Sequence, residues 1–377
     1  MKPFRDFIYL IAVVMLSILA NSCQDDEFYT FANEENCLKI TASFANNSRA
    51  IFDEANDEHI DITNYCFVYF NDIYKEGALI TVQDLGDDLT TPKYLYLPNS
   101  SDYVFENRPF YAILLANITR QQLEEQGMKI GETRVKDLWG MITEVTKNGN
   151  NPTDPQSFTW SGFLPVMKGD ENLAFTLNPN VAKITATITN NSSESDIISV
   201  QIKDVVSSVR VAQNALSKAK EQNKADGNPL MTSDNNTTLD DNEYIGYLDY
   251  ELEELELAKG QSRTISWYVP HNQCGAGSRP SNIPSGQRPT YIEIGSKRQS
   301  DGMQVAYKLY PGTTNGAANY NDINNFDIIA DNQYTLNISV SDDGVKYVGT
   351  TTNGVFVGNQ GNTSNIYVKK TCSSSKE

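Results

Sequence analysis

Few residues of the kinds that usually carry catalysis stand in a usable arrangement in this sequence of 377 residues. The two histidines, His59 and His271, lie far apart along the chain, so a catalytic triad or a multi-histidine metal site cannot readily be built from them. None of the five cysteines forms a CxxC pair, which argues against zinc binding and thioredoxin-type chemistry. We therefore expect a protein that is not an enzyme and that holds no cofactor or metal.

Carboxylates are abundant, but their spacing does not single out an acid and base pair. Asp and Glu number 48 against 30 Lys and Arg, so the formal net charge is −18. The acidic runs Asp84 to Asp88 and Glu251 to Glu256 are typical of solvated strand edges or loops. A carboxylate-based glycosidase is thus a poorly supported alternative, and the negative charge argues against a nucleic-acid partner.

Residues 1–22 carry the features of an export signal. Lys2 and Arg5 precede an apolar run over residues 7–20, which suits a signal-peptide core and is shorter than the roughly 20 residues of a membrane-spanning helix. Small residues then lead into Cys23, in an arrangement that resembles the lipobox of bacterial lipoproteins. We expect removal of the signal and lipidation of Cys23; an ordinary secretory signal followed by an unrelated cysteine is the alternative.

Acidic residues follow Cys23 and open a tether that we place at residues 23–36. The segment Gln24 to Glu27 resembles the signal that sends lipoproteins of Bacteroidales to the outer face of the outer membrane. Taken only as a charge run, it predicts a solvated tether.

Four cysteines remain if Cys23 carries lipid: Cys37, Cys66, Cys274 and Cys372. In an exported chain they permit two disulfides with three connectivities. Buried free thiols are equally compatible with the sequence.

Period-two patterns dominate the rest of the chain and predict an all-β fold. Alternating segments predict strands with one buried face, and segments that are apolar on both faces predict central strands. The alternating segments are 38–44, 181–188, 264–269 and 333–340, and the apolar ones are 65–70 and 110–116. We also expect Pro270 to end its strand at a sheet edge, because proline has no amide hydrogen to donate.

Two segments predict helices instead. Apolar residues from Val205 to Leu216 recur at helical spacing, which predicts a helix over 205–224 that packs on a sheet. The same spacing predicts a second helix over 134–146. With a boundary near 170–180 and no flexible linker there, the sequence predicts two domains, at 37–175 and 176–377, joined as a stiff rod.

Five segments, taken in their order along the chain, resemble those of the fimbrillin family, the two-domain pilins of Bacteroidales type V fimbriae. They are the signal with Cys23, Asn47 to Ala50, Asn180 to Ile184, the stretch from Tyr268 through Gly275 to Ile294, and the stretch from Tyr307 to Leu336. The third and fourth resemble the VAKI and YVPxN…TYIEI motifs of the family. Their order carries the inference, because each segment alone has an ordinary structural role.

The resemblance implies two tandem transthyretin-like, Greek-key β-sandwich domains with a few accessory helices. It also implies a precursor lipidated on Cys23 and carried to the outer membrane, where cleavage after Arg49 leaves Ala50 as the first residue. The lost segment would be the strand 37–46, and an extended segment of a neighbouring subunit would fill its groove. Partners would be other fimbrial subunits, the outer membrane, and host or bacterial surface ligands. Shaft, tip and anchor roles all fit the resemblance, and Arg49 as a plain exposed loop residue is the alternative to cleavage.

The last residues offer a candidate donor for such an exchange. The tail from Gly354 to Lys370 contains alternating segments without proline, so it can form a strand. Closing strands of the second sandwich are the competing interpretation. A surface glycan-binding lipoprotein is the alternative function, with Trp139, Trp160 and Trp267 as candidate platforms for sugar rings.

Overall fold

The computed structural model describes residues 37–44, 62–71, 77–96, 110–144, 158–166, 170–216, 247–251, 255–272, 288–311 and 326–351. By its contacts, the described part of the chain from Leu38 onward forms one compact unit. Its described elements are mostly strands, which confirms the predicted all-β class.

Among the described residues, eight strands and two short helices precede residue 180. The strands are β1 (Cys37–Phe44), β2 (Tyr65–Phe70), β3 (Leu79–Gly86), β4 (Lys93–Tyr96), β5 (Phe110–Ala116), β6 (Ile142–Glu144), β7 (Trp160–Val166) and β8 (Asn172–Pro179), and the helices are α1 (Arg120–Glu125) and α2 (Val135–Trp139). Nine strands follow: β9 (Val181–Asn190), β10 (Ser195–Val206), β11 (Ser208–Arg210), β12 (Tyr247–Glu251), β13 (Ser262–Pro270), β14 (Tyr291–Arg298), β15 (Gln304–Leu309), β16 (Gln333–Ser341) and β17 (Gly344–Thr351).

The two halves repeat one strand order. Residues before 180 form a seven-stranded sheet ordered β3-β2-β5-β7-β8-β1-β4, and later residues form sheets ordered β12-β10-β14-β15 and β13-β9-β16-β17. The run β3-β2-β5-β7 corresponds to β12-β10-β14-β15, and β4-β1-β8 corresponds to β13-β9-β16. In each half the first strand also lies parallel to the last strand of the repeated order, as β1 to β8 and β9 to β16.

The seven-stranded sheet bends over on itself, and the first core lies between its two parts. Strands β7 and β8 pair only at Trp160 with Pro179 and Ser161 with Asn178, and beyond this corner β8, β1 and β4 pack over β2 and β5. The rings of Phe67 on β2 and Phe175 on β8 meet at 6.3 Å. The other face of β2 and β5 packs against α1 and α2, so these two strands are buried on both faces, as predicted.

The second core lies between the two four-stranded sheets. Alternate residues of β9, β10 and β14 are buried in it, together with Tyr334, Leu336, Ile338 and Val340 of β16. These four share one face, which confirms the predicted alternation. Pro270 ends β13, and β13 is an edge strand, also as predicted.

The predicted helix over 205–224 is wrong at its start. Val205 and Val206 end β10, and residues 208–210 form β11, which pairs with β6. Helical conformation is found only at residues 213–216 within the described part of this segment. Long-range strand pairing overrode the helical spacing of the valines, which favour strands by their branched side chains. The second predicted helix is confirmed over Val135–Trp139 but is wrong at Ile142–Glu144, because these residues form β6 and pair with β11.

A carboxylate joins two turns at one end of the second core. Asp342, between β16 and β17, accepts hydrogen bonds from the hydroxyls of Ser192 and Ser193 at 2.5 Å each and from the Ser193 amide at 2.9 Å. These bonds favour the charged form and lower the pKa of Asp342 from 3.8 to about 2. The ionised carboxylate therefore stabilises the folded state.

Replacing Asp342 with Asn is expected to lower the urea unfolding midpoint at pH 7 and to have little effect near pH 2. The stabilisation is complete above the unfolded pKa and is lost as the pH falls through the folded pKa of about 2. Urea unfolding curves of wild type and variant, recorded at pH 7 and at pH 2, measure the difference in midpoint. Asp343→Asn is the control, since it removes a charge from the same turn and keeps the bonds of Asp342. A midpoint difference that does not change with pH would contradict this explanation.

Candidate functional site

Strand β1 occupies an interior position although it is the first described element of the chain. It lies between β8 and β4. Its ladder with β8 is parallel and runs from Lys39 opposite Asn172 to Phe44 opposite Leu177. The Lys39 amide donates to the Glu171 carbonyl at 2.7 Å. The first described strand is thus built into the middle of a sheet.

Alternate side chains of β1 enter the first core. Leu38 is 8% exposed and Ile40 is 0% exposed, and Ala42 and Phe44 pack against the same cluster. The Phe44 ring meets Trp160 edge to face at a centroid distance of 5.1 Å. The intervening residues lie on the opposite face, where Lys39 and Thr41 are half-buried and Ser43 is exposed. β1 is therefore held by two kinds of interaction: backbone hydrogen bonds to the neighbouring strands and four apolar side chains packed in the first core.

Loss of β1 would open an apolar groove. The backbone groups of β8 and β4 that face β1 would lose their partners, and unpaired strand edges bind extended segments by β-augmentation. Trp160 and the inward residues of β8, namely Leu173, Phe175 and Leu177, are buried now and would line the opening. A suitable occupant is a strand with apolar residues at every second position.

The equivalent strand of the second half, β9, is fixed at its start. One residue, Asn180, separates it from β8. The Asn180 side chain accepts hydrogen bonds from the Ser161 hydroxyl at 2.7 Å and the Asn214 amide at 3.0 Å. It donates to the Thr159 hydroxyl at 3.1 Å and the Val211 carbonyl at 2.7 Å. No loop separates β9 from β8, because Asn180 has a strand residue on each side. Removing β9 from its sheet would therefore disrupt the bonds of Asn180 and the fold around them.

The residues predicted for lipidation and processing, Cys23, Arg49 and Ala50, lie outside the described residues. The candidate donor segment 354–370 lies outside them as well. The predicted removable segment 37–46 is described over β1. Sequence reasoning did not identify Trp160 as a wall of the groove or Asn180 as the centre of a network. Neither follows from alternation, since both depend on contacts with distant strands.

Cys66 is a free, buried thiol on β2. Burial, with the nearby Asp84 carboxylate, raises the pKa of this thiol well above its ordinary value. Cys66 thus forms no disulfide in this structure.

The three tryptophans proposed as sugar platforms are all in the core. Trp139 is 4%, Trp160 is 0% and Trp267 is 1% exposed. Their ring faces are thus covered by protein, which rules them out as platforms for stacking sugars. Among the described residues there is no cluster of His, Cys, Asp and Glu that could hold a metal. Within the same residues, no helix is long and apolar enough to cross a membrane.

Comparison with known proteins finds solved structures that are similar to this chain. No family model matches the chain, and no curated protein sequence matches it. A candidate cell adhesion protein of Parabacteroides distasonis has a TM-score of 0.51 and 13% identity, over 86% of this chain and 99% of that one. A candidate cell adhesion protein of Bacteroides eggerthii has a TM-score of 0.50 and 13% identity, over 85% and 96% of the two chains.

A third solved structure, the tip fimbrial protein Mfa3 of Porphyromonas gingivalis with a C-terminal truncation, has a TM-score of 0.49 and 11% identity, over 84% of this chain and 98% of that one. At such identities the first two comparisons establish the fold alone. The chain shares its fold with these two candidate cell adhesion proteins over nearly the whole length of each.

Proposed function

We propose that the protein is a structural and adhesive subunit of a cell-surface fimbria that assembles by exchange of a β-strand between subunits. The observation that carries the proposal is β1, the first described strand, which fills an apolar groove between β8 and β4. A segment of this kind can be replaced by a strand of another subunit that makes the same ladder and side-chain contacts. The shared fold with candidate cell adhesion proteins supports the adhesive role.

Assembly would proceed in three steps. The precursor is exported and lipidated on Cys23, which holds it at the outer membrane. Cleavage after Arg49 makes Ala50 the first residue and separates β1 from the rest of the chain. The groove then accepts a donor strand, for which the tail from Gly354 to Lys370 is our candidate. The two repeated strand orders would correspond to tandem sandwich domains at 37–175 and 176–377.

Replacing Arg49 with Ala is expected to abolish fimbriae on the cell surface, because β1 stays covalently attached and keeps the groove filled. Electron microscopy of cells and N-terminal sequencing of the surface protein provide the measurement. Wild-type protein should begin at Ala50, and the variant should retain its earlier residues.

Two controls accompany this experiment. Ser48→Ala keeps the arginine and should leave cleavage and fimbriae intact. Deletion of residues 354–377 should block assembly without preventing cleavage. Fimbriae of normal number and length on Arg49→Ala cells would refute cleavage-dependent assembly.

Replacing Cys23 with Ala is expected to release the protein from membranes, since lipid on this thiol is the proposed anchor. Fractionation of cells followed by detection of the protein in the outer-membrane fraction measures the effect. Ser22→Ala, which keeps the thiol, is the matched control. Undiminished recovery of Cys23→Ala in that fraction would contradict lipid anchoring.

A further inference from the structure

Three successive rows on the outer face of β13, β9 and β16 consist of small uncharged polar side chains, and we call these three rows the hydroxyl face. Every outward position over three rows is Ser, Thr or Asn. The rows are Ser266, Thr185 and Thr335; Thr264, Thr187 and Asn337; and Ser262, Thr189 and Ser339. All nine side chains are exposed or half-buried. The residues between them are in the second core, except Arg263 near the end of β13, which is exposed.

Six of the eight hydroxyls of this face bond to one another, in three pairs between β9 and β13. Thr185 and Ser266 are 3.0 Å apart, and Thr187 and Thr264 are 2.9 Å apart, measured between their hydroxyl oxygens. The third pair, in the outermost row, lies at 2.7 Å. A polar group that keeps a partner when water leaves avoids most of the desolvation cost. The face can therefore be covered by another surface at small cost.

The nine side chains of the hydroxyl face carry no charge in a chain whose net charge is −18. The next strand, β17, places Lys346 in register with Ser339 at one corner of this face. The outer face of β10 and β14 differs, since it carries charged groups such as Lys203 and Glu293, paired at 3.3 Å. Two copies of so acidic a chain repel each other. The repulsion is smallest where uncharged faces meet, so the charge pattern favours contact between copies at the hydroxyl face.

We propose that the hydroxyl face binds the same face of a second copy of the chain, as a lateral contact distinct from strand exchange. Identical patches that meet across a two-fold axis are the commonest way for copies of a protein to associate. Strand spacing and rise give the face an area of roughly 200–300 Å², well below the roughly 800 Å² per partner of a stable interface. A single contact is therefore weak, and contacts repeated along two fimbriae would strengthen one another through avidity.

Static light scattering on the unassembled full-length chain tests the proposal. Raising NaCl from about 0.1 M to about 1 M shortens the screening length from about 10 Å to about 3 Å, so wild-type protein should become self-attractive. Thr187→Glu puts a carboxylate at the centre of the face, where two copies meet, and should weaken association roughly tenfold or more. Gln304→Glu adds the same charge at an exposed position on β15 and should behave as wild type.

Circular dichroism checks that each variant is folded, and Asn337→Glu, which is exposed in the same row, replaces Thr187→Glu if the latter is not. Equal association of wild type and the face variant, or an equal loss in both variants, would overturn the proposal. It would also fail if wild type did not self-associate but bound soluble dextran through the same face, which would assign the face to a polysaccharide. Cleavage at Arg49 is not needed here, so failure of strand exchange leaves the result unaffected.

Discussion

Replacing Ile40 with Asp is expected to lower the free energy of unfolding by at least about 3 kcal/mol. Ile40 is fully buried in the first core. Removal of a buried isoleucine side chain costs about 2–5 kcal/mol, and a carboxylate at this position must in addition be buried or protonated. Urea unfolding followed by fluorescence measures the loss, with Trp160 reporting on the groove because Phe44 of the same strand contacts it.

Thr41→Asp is the matched control for this experiment. Thr41 is the next residue on β1, but it lies on the outer face and is half-buried. The control should cost no more than about 1 kcal/mol, the range of strand propensities in a sheet. Equal losses in both variants would show that β1 is not seated with its even-numbered residues in the core.

The Ile40 substitution also bears on assembly. If β1 leaves the groove by exchange, a variant that weakens its contacts should release it sooner after cleavage at Arg49. The expected result is faster polymerisation of cleaved Ile40→Asp than of cleaved wild type. Unchanged polymerisation kinetics would show that release of β1 does not limit the process.

Replacing Asn180 with Ala is expected to cost about 3–5 kcal/mol of stability. The substitution leaves the Val211 carbonyl and the Asn214 amide buried without these partners, together with the Ser161 and Thr159 hydroxyls. An unsatisfied buried polar group costs about 1–3 kcal/mol, so two or more of them account for this loss. Chemical denaturation at neutral pH is the measurement.

Asn191→Ala is the control for the Asn180 experiment. Its side chain is exposed and donates to the Ser339 hydroxyl at 2.7 Å, so its loss should cost about 1 kcal/mol or less. A loss of similar size at both asparagines would argue against the buried network as the source of stability at the junction between β8 and β9.

The sequence by itself determined that the six segments with period-two or wholly apolar patterns are strands, and which of their faces are buried. Alternation at 333–340 correctly placed Tyr334, Leu336, Ile338 and Val340 in one core, and Pro270 correctly marked the end of an edge strand. These features are local, because side chains of a strand alternate between faces and proline lacks an amide hydrogen wherever it occurs.

Only the tertiary structure decided which strands pair and where the groove lies. Ser43 of β1 donates to the carbonyl of Phe175 at 3.5 Å although 132 residues separate them, and nothing local to either segment specifies that pairing. The same holds at residues 208–210, where pairing with β6 replaced a helix that the spacing of valines had predicted. The alternation of side chains predicts that one face of a strand is buried. Which other element covers that face depends on the packing of the whole chain. Trp160 therefore became a wall of the β1 groove, and the hydroxyl face emerged only once β13, β9 and β16 were placed side by side.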